Sequence, residues 1–326
     1  MAKFKVLVTD YEYQTLEYEE RIIKAIDGEL LKAQCRTEEE VITAARGVDA
    51  LLVQYAPISR QVFSARPELK AVARYGVGVD VIDLEAATEH GVCVVNVPDY
   101  CEDEVADQTL SLLLACARKT ILLNNYLKKG NWDYQIAQPI YRLKGKKLGL
   151  LGFGKIPRNL AAKAVALGLE VIAYDPYVEQ QLAEQLGVEL LQLEQVLKRA
   201  DFVSVHLPLN EKTRYLLAEE EFKMMKRSAY LINTARGAVI AEKALINALR
   251  RGDLAGAALD VTEKEPINQD NPLLQLDNTI ITPHVGWYSE EAQIELQTKA
   301  AQGVADVLLG KKPAYLVNQS VWNQVS

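Results

Sequence analysis

The sequence predicts an α/β chain of two domains, each built on a doubly wound parallel sheet. Three observations predict it. Short β-rich apolar runs alternate with helical periods along nearly the whole chain, the rhythm of parallel strands joined by crossover helices. A turn built on Gly152 and Gly154 stands between an apolar run and a helical period near the middle of the chain. The length, 326 residues, is enough for about two separate cores.

In chain order, the pattern begins with a strand over 4–9, a helix over 17–26 and strands over 50–53 and 71–73, then a helix over 84–89 and a strand over 92–95. These make a domain of their own. It carries no G-x-G followed at the right distance by an acid, so it is not expected to hold a nucleotide. Arg74-Tyr75-Gly76-Val77-Gly78-Val79-Asp80 follows one of its strands. Such a turn either presents backbone N–H groups to a carboxylate or simply leads into a helix. Residues 96–100 interrupt the pattern as a loop, and a long apolar helix follows over 101–119. Its acids lie at the start and Arg118 and Lys119 at the end, each where the helix dipole favours them. The domain crossing is placed here. Residues 130–143, with Trp132, Tyr134 and Tyr141, read as a loop.

An apolar strand over 147–151 then leads into Gly152-Phe153-Gly154 and a helix. Gly152 allows a tight turn, Gly154 lets backbone approach a pyrophosphate, and the helix N-terminus meets phosphates with free N–H groups and the positive end of its dipole. The next strand ends at Asp175, where a carboxylate can accept both ribose hydroxyls of an adenosine. That is the order of a Rossmann-type dinucleotide site. Pro157 stands where G-x-G-x-x-G has its third glycine. Proline is tolerated in a first helical turn, because the N–H groups there have no intrahelical partner.

The alternation continues with helices over 179–186 and 193–200, a strand over 202–206, a helix over 219–225, a strand over 229–233 and a helix over 242–251. Strands over 256–261 and 279–282 extend this sheet to about six strands or more. A long amphipathic helix over 290–309 carries the chain back to the first domain, which 311–326 completes.

Three segments follow apolar runs of the second sheet: Asn233-Thr234-Ala235-Arg236-Gly237, Asp260 to Pro266, and Thr282-Pro283-His284-Val285-Gly286-Trp287. All fall at the carboxyl edge, where open α/β folds bind ligands. Hydride transfer to a 2-oxo acid needs these residue types. Arg236 offers a rigid fork that grips a carboxylate and polarises a ketone. Histidine as a residue type titrates near neutral pH, and His284 is the candidate that delivers a proton to the developing alkoxide. Glu265 beside it would favour the charged ring and fix its orientation. Taken singly, each has an ordinary alternative: a surface arginine, a solvated loop acid, a satisfied histidine at a strand end. Their joint placement after three strands favours chemistry. His206 ends a strand and is placed to line a nicotinamide pocket without transferring protons, and His90 before Gly91 is explained by a helix end. Three histidines so spread make no metal site.

Composition narrows the functional classes. Apolar residues at 49% and charged residues at 25% describe a soluble globular protein. A net charge of −7 disfavours nucleic acid and acidic membranes as partners, but not a small anion held by local arginines. The first apolar run is too short for a signal peptide and no stretch approaches a membrane span, so a cytoplasmic protein is expected. Cys35, Cys93, Cys101 and Cys116 lack the paired spacing of a zinc site and are expected as free thiols. Asn318-Gln319-Ser320 matches a glycosylation sequon, read here as chance.

The ordered set of the G-x-G turn, Asp175, Asn-Thr-Ala-Arg-Gly, Glu265-Pro266 and Thr-Pro-His resembles the D-isomer-specific 2-hydroxyacid dehydrogenases over nearly the whole chain. Tyr-Gly-Val-Gly-Val-Asp-Val-Ile-Asp, Asn-Val-Pro-Asp-Tyr and the run from His284 to Glu290 are similar to the branch that includes the C-terminal-binding-protein corepressors. The resemblance implies two Rossmann-like domains and an interdomain cleft, with 1–100 plus 300–326 as the substrate domain and 101–299 as the NAD-binding domain. It implies Arg236, Glu265 and His284 as catalytic residues and Val77 and Gly78 as carboxylate-binding backbone. Trp287 is a candidate wall of the substrate pocket. For NAD, it implies contacts from Thr109, Leu151, Gly152, Phe153, Gly154, Lys155, Ile156, Asp175, Leu207, Pro208, Thr213, Thr234, Ala235, Asp260 and Gly286, with Thr109 reaching the pyrophosphate. The family usually dimerises through its nucleotide domain, and the helix over 101–119 with the aromatics of 130–143 is the candidate interface. Two readings then compete: an NAD-dependent D-2-hydroxyacid dehydrogenase, and an NAD(H)-sensing dimeric scaffold that binds protein partners. A phosphorylated substrate would want cations gathered near Arg74, and Arg60 and Arg66 are near it in sequence.

Overall fold

The structure, a computed structural model, describes residues 2–325. The chain divides into two compact units, Met1–Cys101 with Ser289–Ser326, and Glu102–Tyr288.

The first unit opens with β1 (Phe4–Val8), α1 (Glu17–Ala25), β2 (Gly28–Lys32), α2 (Glu38–Ala44), β3 (Ala50–Val53), α3 (Arg60–Ala65), β4 (Ala71–Arg74), α4 (Leu84–Glu89) and β5 (Cys93–Val95). The strands form one parallel sheet in the order β2-β1-β3-β4-β5. β3 and β5 are buried along their whole length, so they read as apolar runs in the sequence. β2 is an edge strand, half-exposed and carrying Glu29 and Lys32, which is why its sequence shows no run. Side chains cap three helices: Thr37 before α2, Ser59 before α3 and Asp83 before α4. At the carboxyl ends of β1 and β3 no glycine turn appears. Asp10 stands there and accepts the N–H groups of Gln54 at 3.2 Å and Tyr55 at 2.6 Å.

The second unit comprises α5 (Glu102–Arg118), α6 (Thr120–Lys128), β6 (Lys147–Leu151), α7 (Lys155–Ala166), β7 (Glu170–Tyr174), α8 (Gln180–Gln185), β8 (Glu189–Leu190), α9 (Leu193–Arg199), β9 (Phe202–Val205), α10 (Glu219–Met224), β10 (Tyr230–Asn233), α11 (Glu242–Arg251), β11 (Gly256–Leu259) and β12 (Thr279–Ile281). Its sheet is parallel throughout and has seven strands in the order β12-β11-β10-β9-β6-β7-β8. Strand order therefore reverses between β6 and β9, the switch point at which such sheets open a crevice. Apolar clusters cover both faces, one around Leu197, Phe222 and Leu249, the other around Leu113, Phe153 and Leu160. Gly149 in β6 is set by packing, because a Cβ there would meet Val196 Cγ1 at 2.6 Å and Ala200 Cβ at 2.9 Å. The expected long helix runs as α5 and ends at Lys119, whose φ is +51°, and an unexpected second helix, α6, follows with no buried residue.

The chain then enters α12 (Glu290–Leu308) and α13 (Gln319–Val325). All of α12 belongs to the first unit, so the domain boundary lies at 288/289 and not at the expected 299/300. The reason is the helix's buried face, which begins at Ala292 and Leu296 and packs on α1, β3, β4 and β5. Gln297, fully buried, donates to Glu19 Oε1 at 3.0 Å and to the Thr15 carbonyl at 2.8 Å. The Tyr75 hydroxyl donates to the same carboxylate at 2.9 Å. Burial raises the Glu19 carboxyl above its ordinary range against these bonds. No helix among the described residues is long and apolar enough to cross a membrane. All four cysteines are buried free thiols, and burial pushes Cys116 up to about 12.

Leu316 and Val317 add an antiparallel segment to β5. Asn318 fastens it: Oδ1 accepts the Val94 N–H at 2.8 Å, and Nδ2 donates to the Val92 carbonyl at 2.9 Å and to Thr88 Oγ1 at 3.2 Å. The sequon asparagine is thus a buried structural amide. Asn318→Ala orphans the Val94 N–H and Val92 carbonyl and is expected to lower the unfolding free energy by about 1–3 kcal/mol in urea denaturation. An unchanged midpoint and slope would remove this role.

Candidate active site

The glycine turn after β6 is shaped by two different constraints. Gly152 has φ +95°, and a Cβ on it would meet the His206 carbonyl oxygen at 2.6 Å, so the end of β9 leaves room only for glycine. Gly154 caps α7 in an extended conformation, and a Cβ there would meet nothing within 4 Å. Protein packing does not require the second glycine; an open space lies before the helix. Arg158 braces the turn, its Nε donating to the Phe153 carbonyl at 2.9 Å and the Gly154 carbonyl at 3.1 Å. Pro157 is the third residue of α7 and buried, where the helix needs no N–H from it. The departure from the third glycine is therefore absorbed by the first turn.

Asp175 follows β7 and is tied to the same turn. Its Oδ2 accepts the Phe153 N–H at 2.8 Å, and Oδ1 accepts the Tyr177 N–H at 2.8 Å. An acid at this strand end, the space at Gly154 and a helix N-terminus fit the ribose and pyrophosphate of a dinucleotide. Leu151 and Phe153 are fully buried, so neither side chain is open to such a ligand. Lys155 Nζ pairs with Glu102 at 2.9 Å, and Ile156 is half-buried. Across the switch point Leu207 is buried and Pro208 exposed. Thr213 closes the following turn by donating to the Pro208 carbonyl at 2.5 Å and accepting the Asn210 N–H at 2.9 Å. His206 Nε2 lies 2.8 Å from Ser204 Oγ, and burial pushes its ring down to about 3. It stays neutral at physiological pH, in keeping with a wall and not a proton donor.

Three strand ends supply the rest. Asn233, the last residue of β10 and fully buried, accepts the Ala235 N–H at 3.0 Å and donates to the Arg236 carbonyl at 2.9 Å. It folds the Thr234–Arg236 backbone into its turn. Sequence reasoning passed it over, although a polar residue ending an apolar strand was the available signal. Thr109, also fully buried, donates to the Val105 carbonyl at 2.7 Å and lies 2.8 Å from Thr234 Oγ1. Its hydroxyl is thus engaged inside the unit, supporting Thr234, rather than at an open face. Gly237 passes so close to the next loop that a Cβ would fall 1.9 Å from the Thr262 carbonyl oxygen, which sets the arginine turn against the glutamate loop.

Asp260, buried after β11, gathers the third segment. Oδ1 accepts Thr282 Oγ1–H at 2.5 Å and the Val285 N–H at 3.1 Å, Oδ2 accepts the Gly286 N–H at 2.8 Å, and its carbonyl accepts the His284 N–H at 2.8 Å. Gly286 is required here, since a Cβ would lie 2.9 Å from Asp260 Oδ2. His284 is held at φ +51°, in the left-handed region a bulky residue seldom adopts. Its Nδ1 lies 2.7 Å from Glu265 Oε2, while Glu265 Oε1 accepts the Thr262 N–H at 3.0 Å. Burial works to raise the Glu265 carboxyl, but the His284 bond and charge, the Thr262 N–H and the nearby Arg236 charge hold it below its ordinary range. Glu265 and His284 are thereby paired, with the Arg236 charge near enough to act on Glu265. The ring of Trp287 meets Tyr288 edge-on at 5.5 Å.

Val77 and Gly78 belong to the first unit and follow β4. The Arg74 guanidinium lies over Gly76, whose φ is +141° and where a Cβ would fall 1.5 Å from it. Asn96 Nδ2 holds the Val77 carbonyl at 2.7 Å. Arg60 pairs with Glu89 and, at 3.7 Å, with Glu85. Arg66 donates to the carbonyls of Ile42 and Ala65, each at 2.7 Å. These bonds direct both arginines to their own local partners.

The space at Gly154 makes a sharp test. Gly154→Ala is expected to change stability by no more than about 1 kcal/mol, the helix-cap difference. By filling the space it should weaken NADH binding at least about tenfold, or 1.4 kcal/mol, in a fluorescence titration. Unaltered NADH affinity would show that the pyrophosphate lies elsewhere.

Comparison with known proteins agrees with this geometry. Residues 110–286 match the family model described as D-isomer specific 2-hydroxyacid dehydrogenase, NAD binding domain. The chain is 42% identical over 318 residues to D-3-phosphoglycerate dehydrogenase of Methanocaldococcus jannaschii, a match that covers 96% of this chain and 59% of that protein. It is 38% identical over 289 residues to glyoxylate reductase of Korarchaeum cryptofilum, covering 87% of each. The crystal structure of D-lactate dehydrogenase from Aquifex aeolicus, complexed with NAD and lactic acid, superposes with a TM-score of 0.88 at 26% identity, covering 96% of this chain and 99% of that one. The chain thus spans most of the glyoxylate reductase but less than two thirds of the phosphoglycerate dehydrogenase. Two parallel-sheet units, an acid-tipped glycine turn and these matches together place the chain in the D-isomer-specific 2-hydroxyacid dehydrogenase family, with an NAD-binding domain over 110–286.

Proposed function

We propose that this protein is an NAD-dependent D-2-hydroxyacid dehydrogenase that interconverts a 2-oxo acid and its 2-hydroxy acid. The observation that carries the reading is the Glu265–His284 pair at 2.7 Å, with Glu265 anchored by the Thr262 N–H and under the influence of Arg236. Bound NADH would supply the hydride, and NAD⁺ would accept it in the reverse direction. Arg236 would hold the substrate carboxylate and polarise the C2 carbonyl. As C2 is reduced, the carbonyl oxygen takes the proton from Nε2 of charged His284, leaving a hydroxyl on the product and a neutral ring. A carboxylate on Nδ1 makes that nitrogen the N–H donor, so Nε2 is the one that exchanges the proton. In the first unit, the turn at Val77 and Gly78 remains the candidate for backbone N–H groups that meet a carboxylate.

Asp175 sets the cofactor preference in this reading, because a second negative charge at the ribose 2′ position would stand against its carboxylate. The relatives named above act on different acids. Here the local pairing of Arg60 and Arg66 favours a small unphosphorylated 2-oxo acid. The corepressor-like scaffold would use the same cofactor site and differ in turnover. Dimerisation is proposed through the second unit, where Trp132 is 90% exposed, Tyr134 71% and Tyr141 56%, beside Ile121 and Leu127 on α6. A gathering of apolar side chains this open is a contact surface.

NADH oxidation against glyoxylate, pyruvate, phenylpyruvate, a thioether 2-oxo acid and phosphohydroxypyruvate should reveal a substrate, with NADPH at least about tenfold poorer in kcat/KM. His284→Ala should lower kcat by roughly 10²–10⁴-fold and Glu265→Gln by at least about tenfold, with NADH affinity nearly intact in both. Tight NADH binding without turnover on any acid would transfer the reading to the scaffold, and wild-type rates in His284→Ala would remove the histidine from the mechanism. For the assembly, Trp132→Asp with Tyr134→Asp should convert a dimer to a monomer in sedimentation velocity. A monomeric wild type would end that part of the proposal.

A further inference from the structure

We propose that the NAD-binding unit has a second ligand site, at the amino-terminal edge of its sheet, which takes a small organic polyanion, either a phosphate ester or a polycarboxylate. A cavity of about 430 Å³ opens there, within the size range of small-molecule sites. Phe202 and Tyr230, which line it, are the first residues of β9 and β10, and Ala255 directly precedes β11. Of the proposed catalytic groups, Arg236 and Glu265 follow the last residues of β10 and β11, and His284 follows the neighbouring β12. The cavity and the catalytic edge are therefore opposite ends of one sheet.

Its charge is out of keeping with the molecule. On a chain of net charge −7, the cavity is lined by Lys119, Arg142, Lys146 and Arg227. Its carboxylate is Asp201, which is already engaged. Asp201 accepts Lys226 Nζ at 3.0 Å and the Lys147 N–H at 2.9 Å, and Lys146 lies 3.7 Å away. Burial raises this carboxyl, but the Lys147 N–H and the lysine charges outweigh it and keep it ionised. Among the described residues, Lys119, Arg142 and Arg227 pair with no carboxylate. Like charges brought around one concavity repel each other, and an anion between them relieves that repulsion.

The remaining surface defines the body of the ligand. Phe202 and Tyr230 stack at 5.9 Å with planes 14° apart and, with Leu143, give an apolar floor. Lys146 sits over the Tyr141 ring at 5.1 Å, which holds that cation at the wall. Arginine forks at the rim match carboxylate and phosphate oxygens alike. A compact body with two or more oxyanion groups satisfies both parts. Tyr141 also belongs to the aromatic face assigned to dimerisation, so the site is tested on the whole protein in its solution state.

The test is calorimetric titration of the NADH-saturated protein in about 0.1 M salt, where surface charge is largely screened. Fructose 1,6-bisphosphate and tricarballylate are the probes, and whichever binds names the source of the oxyanions. At least one should bind with a Kd below about 1 mM. The double variant Arg142→Ala, Arg227→Ala should bind it at least about tenfold more weakly, or 1.4 kcal/mol. Arg236→Ala, altered at the other edge, should retain wild-type affinity for the probe. Both rim arginines are exposed, and an unchanged melting temperature without probe confirms that the double variant is folded. Failure of both probes to bind at about 10 mM, equal binding by the double variant, or loss of binding in Arg236→Ala would each overturn the proposal.

Discussion

A buried carboxylate organises the catalytic edge of the NAD-binding unit. A polar side chain away from water is costly when unpartnered, and Asp260 is met by the Thr282 hydroxyl and the Val285 and Gly286 N–H groups, all of which donate to it. Those bonds join the end of β11 to the loop after β12 and hold His284 in its left-handed conformation. Glu265 can then reach Nδ1, and Gly237, pressed on the Thr262 backbone, brings the arginine turn alongside. The positions of His284, Glu265 and Arg236 thus depend on one fixed junction rather than on three flexible side chains.

The glycine turn works by a similar division. Gly152 exists for the protein, because the His206 carbonyl occupies the place of a side chain. Gly154 exists for something the protein does not itself provide. Asp175 and Arg158 brace the backbone between them from either side, so the space in front of α7 is already formed. A preformed cradle lowers the ordering cost of binding a flexible dinucleotide.

In the first unit the corresponding tie is Glu19. Tyr75 and Gln297 bring β4 and α12 onto one carboxylate of α1, joining segments far apart in the chain. Asn318 does the same for the return to β5. Residues 289–299, which sequence reasoning gave to the second domain, belong here, because the apolar stripe of α12 begins at its first turn and needs a sheet to cover it.

Sequence by itself determined the α/β class, the parallel rhythm, the dinucleotide turn with its acid, and the strand ends at which Arg236, Glu265 and His284 stand. These are local matters: an apolar strand, a glycine that permits positive φ, a polar residue where a strand stops. Pro157 too was legible as tolerable, since a first helical turn needs no N–H. What tertiary structure decided were relations with no fixed spacing. β2 and α6 escaped notice because an edge strand and a solvent-facing helix carry no apolar stripe. Asn233 and Asp260 owe their organising roles to partners that only folding brings within reach, and Thr109 turned inward to Thr234 for the same reason. Four cations drawn from 119, 142, 146 and 227 became one charged cavity only because strand starts and a returning loop converge there. Hydrogen bonds and fields act through space, so the partners of a buried polar group are set by packing and not by position in the chain.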